Sequence, residues 1–342
     1  MKKVIAYIMV AILSLSMLGC GDNKSVKDSE EYQKLQQEYD KLKEEKSKNE
    51  ESSETDQTVE ENKDALKDME QESNLPVKNI KQGDIIKLGS YKQDGAAVGV
   101  KEHIEWIVLS VDEAEGKALL LSKYVLNAMR YNESSDLDVR FPGWRDDNEK
   151  VSVTWQDCTL RTWLNEDFYN EAFNTDEKTC IEKSLLKNPD NPKYGTKGGN
   201  DTEDKVFLLS IEDVVNPKYG FSEEYSNNDE KRRCTASLSC ASGMGEIRKV
   251  WTLSKNYVDK YGSQYGFDES EIGNCCWWLR SPGFDGYHSC AVDPAGRVIY
   301  LADEVGKSGM VNNDDWGIRP SVYINVNIYN KLDYAKDTSA DK

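Results

Sequence analysis

The chain contains few of the residues on which enzymes and metal sites most often depend. Only two of its 342 residues are histidine, and none of its eight cysteines falls in the C-x-x-C spacing of zinc sites and redox motifs. Basic residues are also outnumbered, 44 against 62 acidic ones, which gives a net charge of −18. Because nucleic-acid phosphates require a basic surface, this balance argues against a nucleic-acid partner.

Long apolar runs are absent from the chain except near its first residue. Two lysines precede an apolar stretch from residue 4 to residue 18, and Gly19 and Cys20 follow it. This order is typical of an export signal, and the run is too short to span a membrane comfortably. The segment Met17–Cys20 resembles the bacterial lipobox, which implies cleavage before Cys20 and a diacylglycerol anchor on its sulfur. We therefore predict a lipoprotein signal peptide over residues 1–19 and a mature chain anchored by lipid at the outer face of the cytoplasmic membrane, with an ordinary signal peptide or membrane anchor as the alternative.

The next segment, residues 20–79, has almost no aromatic residues and an excess of negative charge. Between residues 21 and 79 there are 10 basic and 18 acidic residues, so the segment cannot bury enough apolar surface to offset its ordering entropy. Tyr32, Leu35, Tyr39 and Leu42 fall at heptad a and d positions, but the pattern covers only about two heptads. We predict a charged, partly helical linker, with a weak dimerising coiled coil as the alternative.

The remaining chain, residues 80–328, is predicted to fold, and residues 329–342 form a polar tail. Alternating apolar residues predict strands over "GDIIKLGSY" and "HIEWIVLS", the second paired in an antiparallel hairpin with "ALLLSKYVL". The segment "AVDPAGRVIYLA" predicts another hairpin, and "GIRPSVYINV" predicts a final strand with Val322, Ile324 and Val326 on one face.

The middle of this region has the spacing of helices. Apolar residues recur every three or four positions between residues 154 and 187, from Leu160 to Leu185. Thr154 or Asp157 is expected to cap the first helix, and Asn174 or Thr175 the last. The segment "KVFLLS" predicts a buried strand whose Ser210 caps a further helical turn. Antiparallel strands with helices grouped between them predict an α+β fold.

The cysteines leave several possibilities open. Without Cys20 seven remain, an odd number that requires at least one free thiol or an intermolecular bond. Cys234 and Cys240 are spaced for a disulfide across a short loop in an oxidising environment, and would stay reduced in an anaerobe.

Five segments of the folded part, taken in order, resemble a family of domains of unknown function that is abundant in surface proteins of gut and other anaerobic Firmicutes. They are "IEWIVL", the segment containing "TLRTWLN", the segment containing "DKVFLLS", "WWLRSPG" and "WGIRPSVYI". The resemblance covers residues 80–328. That family is in turn similar to the C-type-lectin-like fold of formylglycine-generating enzymes and retroelement-diversified variable proteins. The resemblance implies a C-type-lectin-like domain with a central helical insertion.

In that fold, segments like Trp278–Arg280 and Gly317–Arg319 cross near the centre, and the loops between them build the ligand surface. We expect Trp278, Arg280 and Arg319 to act as structural braces, because an arginine can donate to the carbonyls of irregular loops. Binding of an anionic ligand by the two arginines is the alternative. The expected ligand residues are of types that recognise sugars or peptides, namely Phe284, Tyr287, His288, Arg297, Tyr300, Asp303 and Trp316.

Two kinds of catalytic or metal site are alternatives to this interpretation. His288 and Cys290, near Asp285, could form a nucleophilic dyad, but the sequence offers no oxyanion hole. Cys275 and Cys276 suggest a copper-binding cysteine pair like that of aerobic formylglycine-generating enzymes. Neighbouring residues of a strand face opposite sides, however, which disfavours a shared metal.

A calcium site is a weaker candidate. Asn313, Asp314 and Asp315, in the loop "NNDDW", offer hard oxygen ligands without the spacing of an EF-hand, and a solvated turn is the alternative. No other cofactor is predicted.

The sequence thus predicts a lipid-anchored extracytoplasmic binding module that recognises a glycan or a peptide or protein through the loops between "WLRSPG" and "GIRP". The alternatives are an extracytoplasmic enzyme related to formylglycine-generating oxidases and a purely structural surface protein.

Overall fold

The computed structural model describes residues 80–94, 100–133, 153–299 and 309–332. All of them belong to one compact unit, Val77–Lys342. The predictions for the signal peptide, Cys20, the linker, Tyr300, Asp303 and most of the polar tail lie outside the described residues.

The described residues contain short strands at both ends and helices mainly between them. The strands are β1 (Ile85–Tyr91), β2 (Glu102–Asp112), β3 (Lys117–Ser122), β4 (Asn127–Ala128), β5 (Ile181–Glu182), β6 (Ser184–Leu186), β7 (Thr202–Asp204), β8 (Val206–Phe207), β9 (Trp277–Pro282), β10 (Ser289–Val292), β11 (Val298–Ile299), β12 (Gly317–Ile318) and β13 (Ser321–Asn325). The α-helices are α1 (Thr159–Trp163), α2 (Tyr169–Ala172), α3 (Thr175–Cys180), α4 (Ile211–Val214), α5 (Leu238–Ser242), α6 (Lys255–Tyr265) and α7 (Val326–Tyr329). The predicted α+β class is confirmed.

The larger sheet has six strands in the order β1-β2-β3-β13-β5, and β8 also pairs with β13. The hairpin predicted between β2 and β3 is confirmed, and Ile104, Trp106 and Val108 are fully buried on one face of β2. The last strand, β13, lies beside β3, which belongs to the first third of the described chain. The sheet is therefore complete only when segments from both ends of the domain have paired.

The smaller sheet has five strands in the order β11-β10-β9-β12-β4. The hairpin predicted over "AVDPAGRVIYLA" is confirmed as β10 and β11. Strand β12 runs parallel to β9, with Gly317 opposite Trp277. A Cβ on Gly317 would lie 2.5 Å from Val125 Cγ1, so this close approach requires glycine. A two-stranded sheet of β6 and β7 stands apart.

The helical predictions are partly confirmed. Helix α1 continues through a π-helical turn, Leu164–Phe168, into α2. Its N-cap is Cys158, whose Sγ accepts from the main-chain N–H of Arg161, so the prediction of Thr154 or Asp157 as the cap was wrong. Two other predicted caps are confirmed as capping boxes, in which a side chain and the main chain bond reciprocally, at Asn174 before α3 and Ser210 before α4.

Three local predictions were wrong, the first of them because tertiary strand pairing overrides local helical spacing. The helical spacing beyond residue 180 predicted a longer helix, but Ile181 starts β5 beside β13, and Leu185 lies in β6 with 61% of its surface exposed. Val326 begins α7 and does not extend the last strand. The strand predicted over "KVFLLS" is limited to Val206–Phe207, although Leu208 and Leu209 are buried as well.

Candidate functional site

Strand β9 carries the two adjacent tryptophans into the interior. Both Trp277 and Trp278 are fully buried. Trp277 Nε1 donates to the carbonyl of Arg232 at 3.1 Å, and Trp278 Nε1 donates to the carbonyl of Met129 at 3.0 Å. Each indole therefore fills the core and connects β9 to another segment through its one polar group.

Arg280, at the centre of β9, joins this strand to the start of helix α4. Its Nη1 donates to the Leu208 carbonyl at 2.9 Å and to Asp213 Oδ2 at 2.7 Å. Asp213 also accepts from the main-chain N–H of Ser210 at 2.8 Å, as part of the capping box of α4. One side chain thus links a strand, an irregular loop and a helix cap. The sequence led us to expect the contact with a loop carbonyl, but not the contact with Asp213.

Arg319 lies between the two sheets, directly after β12. Its Nε donates to the carbonyl of Ser122 at 2.9 Å, and its Nη1 donates weakly to the carbonyl of Arg232 at 3.4 Å. The guanidinium carbon lies 5.0 Å from the centroid of the Trp277 ring, a cation–π contact. Its residue surface is 1% exposed.

The arginine that makes the most main-chain contacts among these is Arg232, which the sequence did not point to. All of its N–H groups face carbonyl oxygens: Nε donates to Gly296, Nη1 to Val214 and Ser222, and Nη2 to Glu224 and Asn227. Its neighbour Arg233 bonds instead to the buried Glu271 at 3.0 Å. Nothing in the sequence distinguishes the two adjacent arginines, because the accepting carbonyls belong to segments that become neighbours only on folding.

The turn after β9 and the loop that carries Tyr194 bring three rings together. We call this cluster, which consists of Tyr194, Phe284 and His288, the aromatic patch. The Phe284 ring lies 6.2 Å from that of Tyr194 in an edge-on arrangement and 4.2 Å from that of His288. Tyr194 is 36% exposed and Phe284 is half-buried. Nδ1 of His288 lies 2.6 Å from Asp285 Oδ1, which fixes the imidazole against its own turn. Tyr287, on the same turn, is half-buried.

A buried asparagine fixes the Tyr194 loop to strand β9. The Nδ2 of Asn191 donates to the carbonyl of Pro282 at 2.8 Å. Its Oδ1 accepts from the main-chain N–H groups of Lys193 and Tyr194 at 2.9 and 3.0 Å. Sequence reasoning assigned this Asn- and Pro-rich stretch only to a loop, although an asparagine that bonds the backbone two residues later is a known turn signal.

Three of the expected ligand residues are buried or engaged within the protein: Trp316 and His288 are 6% and 7% exposed, and Arg297 is partly buried. Arg297 bonds to the fully buried Asp293, with Nε to Oδ2 at 2.7 Å, and its Nη1 donates to the carbonyl of Tyr265 at 2.9 Å. Trp316 is buried, and its ring centroid lies 4.6 Å from that of Trp278. Arg297 therefore supports the hairpin turn between β10 and β11, and Trp316 belongs to the hydrophobic core.

The loop proposed for calcium is held to the rest of the protein mainly by main-chain hydrogen bonds. The main-chain N–H of Asn313 donates to the carbonyl of Met310, and the carbonyl of Asp315 accepts from Trp251. Asp314 Oδ2 lies 3.9 Å from Nη2 of Arg130. Within the described residues there is no group of three or more His, Cys, Asp or Glu side chains that could hold a metal ion.

The seven described cysteines are free and buried. Burial raises the pKa of the Cys158, Cys180 and Cys240 thiols to about 12, and it raises that of Cys290 as well. Cys290 Sγ donates to the carbonyl of Pro282 at 3.1 Å. At neutral pH these sulfurs are therefore protonated side chains packed in the core.

The chain belongs to the family described as a domain of unknown function, DUF6273, whose model matches residues 115–326. No curated protein and no solved structure matches the chain. In the part of the chain that the structure describes, no helix combines the length and the apolar character needed to cross a membrane.

Proposed function

We propose that the protein is a lipid-anchored extracytoplasmic binding module, with a C-type-lectin-like fold, that recognises a glycan or a peptide or protein through the loops between residues 283 and 316, together with the loop that carries Tyr194. The observation that carries the proposal is the aromatic patch. Two of its rings, those of Tyr194 and Phe284, are partly exposed on irregular loops, and the buried side chain of Asn191 fixes the loop that carries Tyr194.

The geometry of the patch favours binding because little has to be ordered when a ligand arrives. Asn191 fixes the main chain at Tyr194, and Asp285 fixes the imidazole of His288. Rings held in one orientation bind with a smaller loss of side-chain entropy than mobile ones. Aromatic faces beside hydrogen-bonding groups suit both sugar rings and peptide side chains.

The parallel pairing of β9 and β12 supports the C-type-lectin-like part of the proposal. The resemblance leads us to expect that the segment containing Trp278 and the segment containing Gly317 meet at the centre of the domain. Gly317 lies opposite Trp277, within the five-stranded sheet. Phe284 and His288 of the aromatic patch follow β9, and the turn at residues 312–316 precedes β12.

The binding proposal can be tested by probing glycan and peptide arrays with the full-length protein in detergent. Phe284→Ala and Tyr194→Ala are expected to weaken binding at least tenfold, since each removes an aromatic face of the patch. Tyr261→Ala, which removes an aromatic ring from helix α6, is the matched control and should bind as wild type. Binding that survives both patch variants, or arrays without any signal, would contradict the proposal.

The anchor is tested separately by metabolic labelling with palmitate. We expect wild type to be labelled and Cys20→Ala to be unlabelled, because the lipobox resemblance assigns the acylated sulfur to Cys20. Equal labelling of the two proteins would remove the anchor from the proposal and leave the binding surface untouched.

A further inference from the structure

A cleft of about 840 Å³ lies outside the aromatic patch, between strands β2 and β3 and the loops at residues 217–221 and 230–235. Basic side chains outnumber acidic ones in its wall: Lys123, Lys231, Arg233 and Arg319 against Glu230. We call it the basic cleft. This local excess of positive charge contrasts with the net charge of −18 of the whole chain.

Two of the four cations are neutralised by neighbouring carboxylates. Lys123 Nζ lies 2.8 Å from Glu105 Oε2, and Arg233 Nη2 lies 3.0 Å from Glu271 Oε1. Neither Lys231 nor Arg319 has a carboxylate of the described residues within ion-pair distance. The positive charge available to a ligand therefore comes from these two side chains, with Glu230 the acidic group in the same wall.

Arg319 is the stronger indication of a ligand because it is buried and its donors are mostly unused. A guanidinium has five N–H groups, and main-chain oxygens of the described residues accept from Arg319 only at Nε and Nη1. Arg232, whose carbonyl accepts one of these bonds, has protein acceptors for every nitrogen. No protein acceptor among the described residues bonds to Nη2 of Arg319, and Arg319 lines the cleft, so an anion in the cleft can accept a hydrogen bond from this edge.

We propose that the basic cleft binds a small organic anion, with Arg319 as its anchor and Lys231 as a second cation at the exposed side. A guanidinium edge matches the two oxygens of a carboxylate or a phosphate. Tyr124, Tyr219 and Phe221 also line the cleft, so the anionic group is expected on a molecule with an apolar or ring-shaped body. This site is separate from the aromatic patch and does not depend on the function proposed there.

Isothermal titration of the full-length protein in detergent tests this with three probes. Benzoate carries a carboxylate on a ring, inorganic phosphate carries the alternative anion, and benzyl alcohol is the uncharged analogue of benzoate. We expect one of the anions to bind at about 1 mM or tighter and benzyl alcohol to bind at least tenfold more weakly. The tighter anion identifies the head group. Absence of binding by both anions at about 10 mM would overturn the proposal.

Charge variants identify the site. Lys231→Glu changes an exposed side chain and should weaken anion binding at least fivefold, whereas Lys260→Glu makes the same charge change on helix α6 and should leave it within twofold of wild type. Arg319→Lys replaces the planar edge by a single ammonium and should weaken binding at least tenfold, with circular dichroism to establish that it folds. Unchanged affinity in Lys231→Glu would place the anion elsewhere and refute the site.

The patch variant Phe284→Ala separates this proposal from the binding module. Anion binding is expected to persist in Phe284→Ala, because Phe284 does not line the cleft. Loss of anion binding in that variant would mean that the anion occupies the patch, and the cleft would then be rejected.

Discussion

Replacing Arg232 by methionine is expected to destabilise the domain by about 4 kcal/mol. The side chain is fully buried and donates to the carbonyls of five residues, which belong to the end of helix α4 and to two irregular segments. Methionine keeps much of the apolar stem but has no N–H group. The substitution therefore removes the hydrogen bonds while it leaves most of the packing in place.

The magnitude depends on which carbonyls water can reach afterwards. Glu224 and Asn227 are exposed, so their carbonyls can be hydrated. Val214 and Gly296 are buried, so their carbonyl oxygens would lose the hydrogen bond from Arg232 and water could not replace it. Each buried polar group left unsatisfied costs about 1–3 kcal/mol, so two of them cost about 2–6 kcal/mol, and 4 kcal/mol is the centre of this range.

Urea unfolding followed by tryptophan fluorescence measures the effect. The free energy of unfolding of Arg232→Lys should lie between those of wild type and Arg232→Met, because an ammonium keeps the charge but reaches fewer of the carbonyl acceptors. Arg248→Met is the control: Arg248 bonds to Glu133 at 3.1 Å with 51% of its side chain exposed, and its loss should cost less than about 1 kcal/mol. A cost below about 1 kcal/mol for Arg232→Met would refute the reasoning.

Three further results are expected. Iodoacetamide at pH 8 should leave the seven described thiols unmodified in the folded protein and alkylate them in urea, because burial raises the pKa of groups such as Cys158 and Cys240 to about 12. Unfolded thiols ionise first, so the free energy of unfolding should fall as the pH rises from about 9 towards 12, and a flat urea-midpoint profile would contradict this. Gly317→Ala should cost about 1–3 kcal/mol in urea unfolding, since its methyl group meets Val125 at 2.5 Å.

The elements that the sequence predicted well are those whose signals are local. Strand β2 alternates buried and less buried residues along its own length, and the caps at Asn174 and Ser210 are each formed within four residues. The signals failed where a distant partner decides the conformation. Ile181 has helical spacing with the residues before it, but it pairs with β13, a strand far along the chain, and so becomes part of the sheet.

In the candidate site, too, residues with a local signal were predicted and residues whose partners are distant in sequence were missed. Arg280 was found because it lies in a long motif, and the ring of Phe284 because it follows that motif directly. Asn191 was missed because its main acceptor, the carbonyl of Pro282, is 91 residues away. Polar side chains that organise loops leave no periodic signal, since neither their spacing nor their type is repeated.

Arg232 and Arg319 are neighbours in the fold, but the two arginines have different roles. The main-chain carbonyl of Arg232 accepts from both Trp277 and Arg319, so two side chains meet at this oxygen. Around Arg232 the loops at residues 214–227 approach from several sides, and every nitrogen finds a carbonyl. Arg319 lines the cleft, and among the described residues it reaches only two main-chain carbonyls, those of Ser122 and Arg232. The number of free carbonyls within reach therefore decides which arginine stabilises the fold and which one retains donors for a ligand.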